Sequence, residues 1–583
     1  MHTENREDMI MKKSFALLAF ILAFTMLFSA CGDDFVDVST IQSDFTCIFV
    51  INQVNEEQKI NIAYSSDEEI TKLEITVKHG EQIVSNEVFE GEALKENNVT
   101  VDAYYGKHTV NLRATAKAGV AEAFKDVSVS ASEYVIAPIS GSMPQLYFTL
   151  NMKEITRDHQ IPAFVWLARP DSWNWDNLPE NVYAMPNVAK EEVLTHNNYD
   201  KMVAATDAYI EELYSINSGS KFNLYINDYN SYLYLKLLAG NGIPESNYYV
   251  TLLSDGGASY KAFNDAFNIE TEGFDADAKY TEMAEKLAKL YGEVREAKDY
   301  NGDGSKFSID GDSFRQYSYV AAKEMNNVEW WILRPRAGVL CSPDEEFINM
   351  VLNDDKKEGV IEERNFAAPL KAMTDEEKTE LKSLYNFNNE MFESADEQGK
   401  KAMMILGSWA YAENEPDFED YVNLVKAYYG EEEFVYYYKG HPNTPTSNHP
   451  DKQDQLEDLD LIDVESSINA ELILFFYPDI YMCGYNSSTF MSVESAEMAC
   501  AMFNMTLEAA QANENTEGYR DLIGIYLSKI TADSKYASLC DLDEGNFYLV
   551  EFHNEKANAA YGIFNAEEKT FKYYTAEGTE TTK

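Results

Sequence analysis

Cysteine and basic residues are both scarce in this chain, and each shortage excludes a class of protein. Six cysteines occur in 583 residues. Apart from Cys31, which closes an apolar leader, there remain Cys47, Cys341, Cys483, Cys500 and Cys540. An odd number so widely scattered makes no disulfide framework, and no pair has the spacing of metal ligands, so they read as mostly buried thiols. Lysine and arginine total 47 against 100 acidic residues, a formal charge of -53. Binding nucleic acid or an anionic membrane surface depends on cations meeting phosphates, so neither partner is expected. Long polar tracts are also missing. With 45% hydrophobic and 13% aromatic residues the chain is expected to fold nearly throughout, and its length suggests two to four domains.

The amino terminus carries an apolar run, "SFALLAFILAFTMLF" (Ser14 to Phe28), behind Lys12 and Lys13. It is short for a membrane span and the right length for a secretory signal. Ser29 and Ala30 are small, and Cys31 directly after them resembles the lipobox cysteine of bacterial lipoproteins. That likeness implies residues 1–30 as a signal peptide, acyl chains on Cys31, and residues 31–44 as a tether. The "GDD" that follows looks like the acidic stretch of surface-exported lipoproteins. The expected location is therefore the bacterial cell envelope, lipid-anchored, at the outer-membrane surface.

Between 45 and 135, short alternating segments recur about every ten residues, among them "KINIAY", "KLEITVK", "HTVNLRATA" and "FKDVSVSA". Val110, Leu112 and Ala114 share one face. Six or seven such strands indicate an immunoglobulin-like β-sandwich. "IAPISGSMP", near 136–144, reads as a linker. Strands and helices then alternate in two series, at 145–395 and 396–543, which predicts an α/β fold of two Rossmann-like, doubly wound domains facing a cleft. In the first series "LYFTL" and "PAFVWLA" read as strands and Tyr199 to Ile216 as a helix. Residues 544–583 return to alternation and are expected to form a C-terminal β extension.

Chemistry concentrates at strand ends. Phe434 to Tyr438 make a short strand, Gly440 permits a bend and Pro442 fixes the exit, so His441 falls at the strand's carboxyl end, where open α/β sheets bind ligands. Lys439 beside it either adds positive potential or points along the strand. "LLSDGGASY" places Asp255 before Gly256 at another strand end. "GYNSSTF" places Ser487 and Ser488 ahead of a helical stretch, a ready anion site. Each residue also has a plainer reading: a turn histidine, a turn-capping aspartate, a pair of N-caps.

Taken in order, "LLSDGGASY", "YYYKGHP" and "GYNSSTF" resemble the motifs of the bacterial sialyltransferases of GT-B fold, a likeness spanning roughly 145 to 540. The resemblance implies a glycosyltransferase that moves sialic acid or a related nonulosonic acid from a CMP-sugar donor to a glycan acceptor, with inversion and without a metal or other cofactor. It implies Asp255 as base and His441 as acid. It implies donor contacts from Lys439, Gly440, Pro442, Glu471, Ser487 and Ser488, with Glu471 on the ribose. It places Trp409 under the acceptor sugar and Asn230 where relatives carry a cleft histidine. Ser254 and Gly257 depart from the pattern, since relatives have an acidic residue and a serine there. Those departures support a rival reading, a noncatalytic glycan-binding surface lipoprotein that retains the fold. "DYNGDGSKFSID", Asp299 to Asp310, matches several positions of a calcium loop, but Lys306 stands where such loops bury an aliphatic residue, and a solvated acidic turn is the simpler expectation.

Overall fold

Alternating burial along Gly106–Ala116, with Val110, Leu112 and Ala114 turned inward, is the pattern of a strand with one wet face. It is one of eight antiparallel strands in this part of the chain. In the computed structural model, which describes residues 37–42, 45–186, 199–229, 231–267, 274–296, 308–309, 312–333, 361–364, 366–407, 418–442, 444–485, 489, 499–503, 536–538, 541–542, 547–553, 561–565, 570–574 and 579–582, they are β1 (Asp37–Gln42), β2 (Thr46–Gln53), β3 (Lys59–Ser66), β4 (Ile70–His79), β5 (Gln82–Glu90), β6 (Asn98–Asp102), β7 (Gly106–Ala116) and β8 (Gly119–Val129). Two antiparallel sheets result, in the orders β1-β2-β3-β6 and β5-β4-β7-β8.

Contacts divide the chain into two compact units, Met1–Glu133 with Ala208–Lys221, and Tyr134–Asp207 with Phe222–Lys583. The first is therefore discontinuous. Residues of the helix Tyr199–Ile216 join it: the Tyr209 hydroxyl donates to the Tyr105 carbonyl, and Glu212 accepts from the Lys107 amide. Of the cysteines, Cys47 and Cys483 are buried, and burial pushes the Cys47 thiol up to about 12.

The second unit opens with a correction. Residues 136–144 are no linker: Glu133–Ile139 is a strand, β9, buried from Tyr134 onward. A strand covered on both faces reads as a continuous apolar run, and a run ending in Pro, Ser and Gly is easily taken for a connector. "LYFTL" is likewise no strand but the end of the helix Ser142–Leu150. Every residue from Met143 to Leu150 is buried, so no polar face betrays the helical period.

β9 lies inside a seven-stranded sheet with β10 (Ala163–Leu167), β11 (Val182–Ala184), β12 (Lys221–Asn227), β13 (Tyr248–Leu253), β16 (Val328–Ile332) and β17 (Ile361–Glu363). A two-strand ladder, β14 (Ser308–Ile309) with β15 (Asp312–Ser313), precedes β16. The order is β11-β10-β9-β12-β13-β16-β17, and the pairs β10·β11, β9·β10, β12·β13, β13·β16 and β16·β17 are parallel. This is the doubly wound order, with its switch point between β9 and β12.

A second sheet repeats the scheme. β18 (Lys401–Leu406) lies between β19 (Phe434–Lys439) and β21 (Tyr481–Tyr485), β20 (Ile462–Val464) flanks β19, and β22 (Ala499–Phe503) flanks β21, all parallel. The switch point falls between β18 and β21. Met403, Ile405, Tyr436 and Tyr438 of the sheet pack on Phe418, Val422 and Val425 of the helix Phe418–Tyr429. β25 (Phe547–His553) continues the sheet antiparallel to β22, and β23 (Tyr536–Ser538) and β24 (Asp541–Leu542) pair with β25. β26 (Tyr561–Asn565), β27 (Thr570–Tyr574) and β28 (Glu580–Thr581) form a separate antiparallel sheet.

Candidate functional site

Three chain segments meet at the carboxyl edge of the first parallel sheet. β9 runs through Ser140 and Gly141 into a helix, β12 ends at Asn227 and is followed by Asp228, and β13 is followed by Ser254, Asp255 and Gly256. Gly141 has φ 94° and ψ 156°, backbone that only glycine adopts readily. A Cβ there would also stand 2.8 Å from Asp255 Oδ1, so the missing side chain leaves room for the carboxylate. Asn227 donates through its amide to the Ser140 carbonyl at 3.3 Å, while its buried Oδ1 has no protein partner among the described residues.

Asp228 is fully buried and Asp255 is partly open. Arg315, from the 3-10 turn Phe314–Tyr317, joins them: its Nε donates to Asp228 Oδ1 at 3.2 Å and its Nη2 to Asp255 Oδ2 at 2.8 Å. The guanidinium also lies over the Tyr229 ring, 4.8 Å from its centroid. Ser259 donates to Asp228 Oδ2 at 2.6 Å and accepts from the Asp255 amide at 2.7 Å. Burial pushes the Asp228 carboxyl up to about 6; Arg315 and Ser259 pull it down, and the Asp255 charge adds to the rise. Ser254 is buried, its hydroxyl 2.9 Å from that of Tyr147.

The carboxyl edge of the second sheet carries the other group. Lys439 ends β19, Gly440 follows it buried, and His441 and Pro442 are partly exposed. Of the two readings for Lys439, the structure gives a buried ammonium that donates to the Ser466 carbonyl at 3.1 Å and approaches that of Gly440 at 3.5 Å. Burial lowers its proton affinity to about 8, Glu471 opposes that, and Arg169 adds to it. Arg169 follows β10 and donates to the Ser142 hydroxyl at 2.5 Å, so this cation of the first edge lies within electrostatic reach of the second. Glu471 sits in the first turn of the helix Ala470–Phe476, buried, its carboxyl raised by burial despite bonds to its own backbone and to Thr489.

Asp255, Lys439, Gly440, His441, Pro442 and Glu471 thus lie at or beside carboxyl edges. Cys31, Asn230, Trp409, Ser487 and Ser488 lie outside the described residues, as do Asp299 to Phe307 and Asp310 of the acidic loop. Sequence reasoning missed Asp228, Arg315, Ser259, Arg169 and Asn227. Asp228 directly follows the strand "KFNLYIN" and Asp255 follows "YYVTLL" by two residues, and that shared position past a strand's end was a usable signal. Arg315 has none, because its partners are 60 and 87 residues away. Among the described residues, no group of three or more His, Cys, Asp or Glu is placed to hold a metal ion.

Fold and site together define a class: a protein of two doubly wound parallel sheets, each presenting polar side chains at its carboxyl edge beside a switch point. Among solved structures the chain is similar to the 2,6-sialyltransferase of Photobacterium sp. JT-ISH-224 in ternary complex with CMP and lactose, at 14% identity over 76% of this chain and 86% of that one, TM-score 0.47. It is similar to an α/β-galactoside α-2,3-sialyltransferase of Photobacterium phosphoreum, at 11% identity over 68% and 95%, TM-score 0.48. It is also similar to a UDP-GlcNAc 2-epimerase of Neisseria meningitidis, at 9% identity over 68% and 91%, TM-score 0.35. No family model and no curated protein sequence matches the chain.

Proposed function

We propose that the chain is a CMP-sugar-dependent glycosyltransferase of sialyltransferase type, working across a cleft between its two doubly wound domains, about 145–395 and 396–543. The observation that carries this reading is the exposed carboxylate of Asp255 on one carboxyl edge and the Lys439-Gly440-His441-Pro442 turn on the other. Asp255 takes the proton of the acceptor hydroxyl, and His441 supplies a proton or hydrogen bond to the departing phosphate. Glu471 holds the donor ribose and Ser487 and Ser488 hold the phosphate, while Trp409 and Asn230 line the acceptor side. The strand orders of the two antiparallel sheets support an immunoglobulin-like sandwich ahead of these domains. Cys31 ties the whole to the cell envelope.

One observation favours the rival, a surface glycan-binding lipoprotein without turnover. Asp255 is engaged by Arg315, and Ser254 is a buried hydroxyl where a second acid would stand. Incubation of the purified chain with CMP-sialic acid and lactose separates the two. The transferase reading expects release of CMP with a sialylated product, and titration calorimetry should show CMP binding without divalent ions that weakens in His441→Ala. A chain that binds CMP and never turns over the donor supports the rival.

A further inference from the structure

Around Asp255 the hydrogen bonds close into a ring. Its amide donates to Ser259 Oγ, Ser259 donates to Asp228 Oδ2, Arg315 Nε donates to Asp228 Oδ1, and Arg315 Nη2 donates back to Asp255 Oδ2. The ring therefore holds both the backbone and the side chain of one residue. Its charges sum to one negative, and the members differ in access: the Asp228 side chain is 0% exposed, Arg315 13% and Asp255 35%. Only Asp255 opens appreciably to solvent. Its second oxygen, Oδ1, faces the space left by the absent Gly141 side chain.

An arginine alone beside a general base would orient it and also hold its lone pairs, opposing proton uptake. Asp228 resolves that conflict. A buried carboxylate held by the same guanidinium, through Nε, offsets its charge while the planar fork still fixes the geometry. We propose that Arg315, charge-compensated by Asp228, is a positioning residue that aims Asp255 Oδ1 at the acceptor hydroxyl. This rests on the transferase reading for its catalytic consequence, but not for its geometry. Ser259 completes the ring by tying the turn after β13 to the same buried carboxylate. Among the described residues, Asp228, Asp255, Arg315 and Tyr229 are titratable or charged groups joined in this cluster.

The test combines turnover with a measurement that needs none. In Asp228→Asn the guanidinium is left uncompensated against Asp255, so kcat should fall about 100-fold, the scale of a misplaced reacting group. The donor KM should stay within about twofold, and the acidic limb of the pH-rate profile should move. The paired variant Asp228→Asn with Arg315→Gln removes both charges and keeps hydrogen-bonding groups, and it should recover part of that loss. A kcat unchanged in Asp228→Asn, or donor KM and kcat falling together with no change of profile, overturns the proposal. Crystal structures of the wild type and Arg315→Gln read the geometry directly: Asp255 should leave its rotamer in the variant, and an unmoved carboxylate also overturns it. A wild type without transfer whose Asp255 is displaced in Arg315→Gln overturns the transferase reading and leaves the positioning role standing.

Discussion

Asp255 shows how little of a side chain's role is written in its own identity. The same carboxylate serves as a turn cap, an ion-pair partner or a base, and what separates these is its surroundings, here Arg315 on Oδ2 and the bare Gly141 backbone beside Oδ1. Asp255→Asn keeps the size and cannot accept a proton, so CMP binding should persist while transfer falls by about two to four orders of magnitude. Near wild-type transfer in that variant would remove the base. Asp228 gives a second, independent expectation. Its folded carboxyl keeps a proton up to about pH 6, whereas the unfolded one releases it near 3.8. Between those values the native state binds more protons, so this group's contribution to stability falls as pH rises. Calorimetric melting of wild type and Asp228→Asn in steps from pH 4 to 7 should show the wild type losing ground to the variant across that window. A constant difference would sink the assignment.

At the scale of elements, periodicity reveals an element when one face is wet and conceals it when both are covered. The helix Tyr199–Ile216 was legible because Met202, Tyr209, Ile210 and Leu213 are buried among exposed positions. The helix Ser142–Leu150 and β9 were not, because neither has a solvated face within reach of its side chains. Close packing of two elements is equally invisible locally. At the second switch point Gly484 has φ 155°, and a Cβ there would stand 2.7 Å from the Leu406 carbonyl oxygen, so β18 and β21 meet over a bare backbone. Gly484→Ala should destabilise by about 1–3 kcal/mol, the range for overpacking, through a shift of main chain that cannot give way as a flexible side chain would. Equilibrium urea unfolding checks it, and a midpoint equal to wild type would refute the close approach.

For the whole molecule, the net charge of -53 repels phosphate backbones, and an anionic substrate would depend on local cations. Lys439 is buried, and Arg169 lies within electrostatic reach of it. The first unit is discontinuous in sequence, taking in residues 208–221 as well as the amino-terminal part. Anchoring belongs to this scale as well. Only a thiol accepts the diacylglyceryl group, so Cys31→Ser should abolish lipidation and move the protein from the detergent phase to the aqueous phase. Unchanged partitioning would count against the anchor.

What the sequence determined by itself was what has a short range: alternation in β2, β3, β4, β6, β7 and β8, the two alternating series of strands and helices, and a charged residue just past β13 and at the end of β19. Such features depend on neighbours within a turn or two, and composition records them directly. The tertiary structure alone decided that 133–139 is a central strand rather than a connector, because burial on both faces comes from elements far along the chain. It alone decided which acid is open. Asp228 and Asp255 both follow apolar strands and both meet Arg315 and Ser259, yet the first is sealed and the second partly open. Contacts across 31, 60 and 87 residues leave no local periodicity, so no reading along the chain could have ordered those two carboxylates.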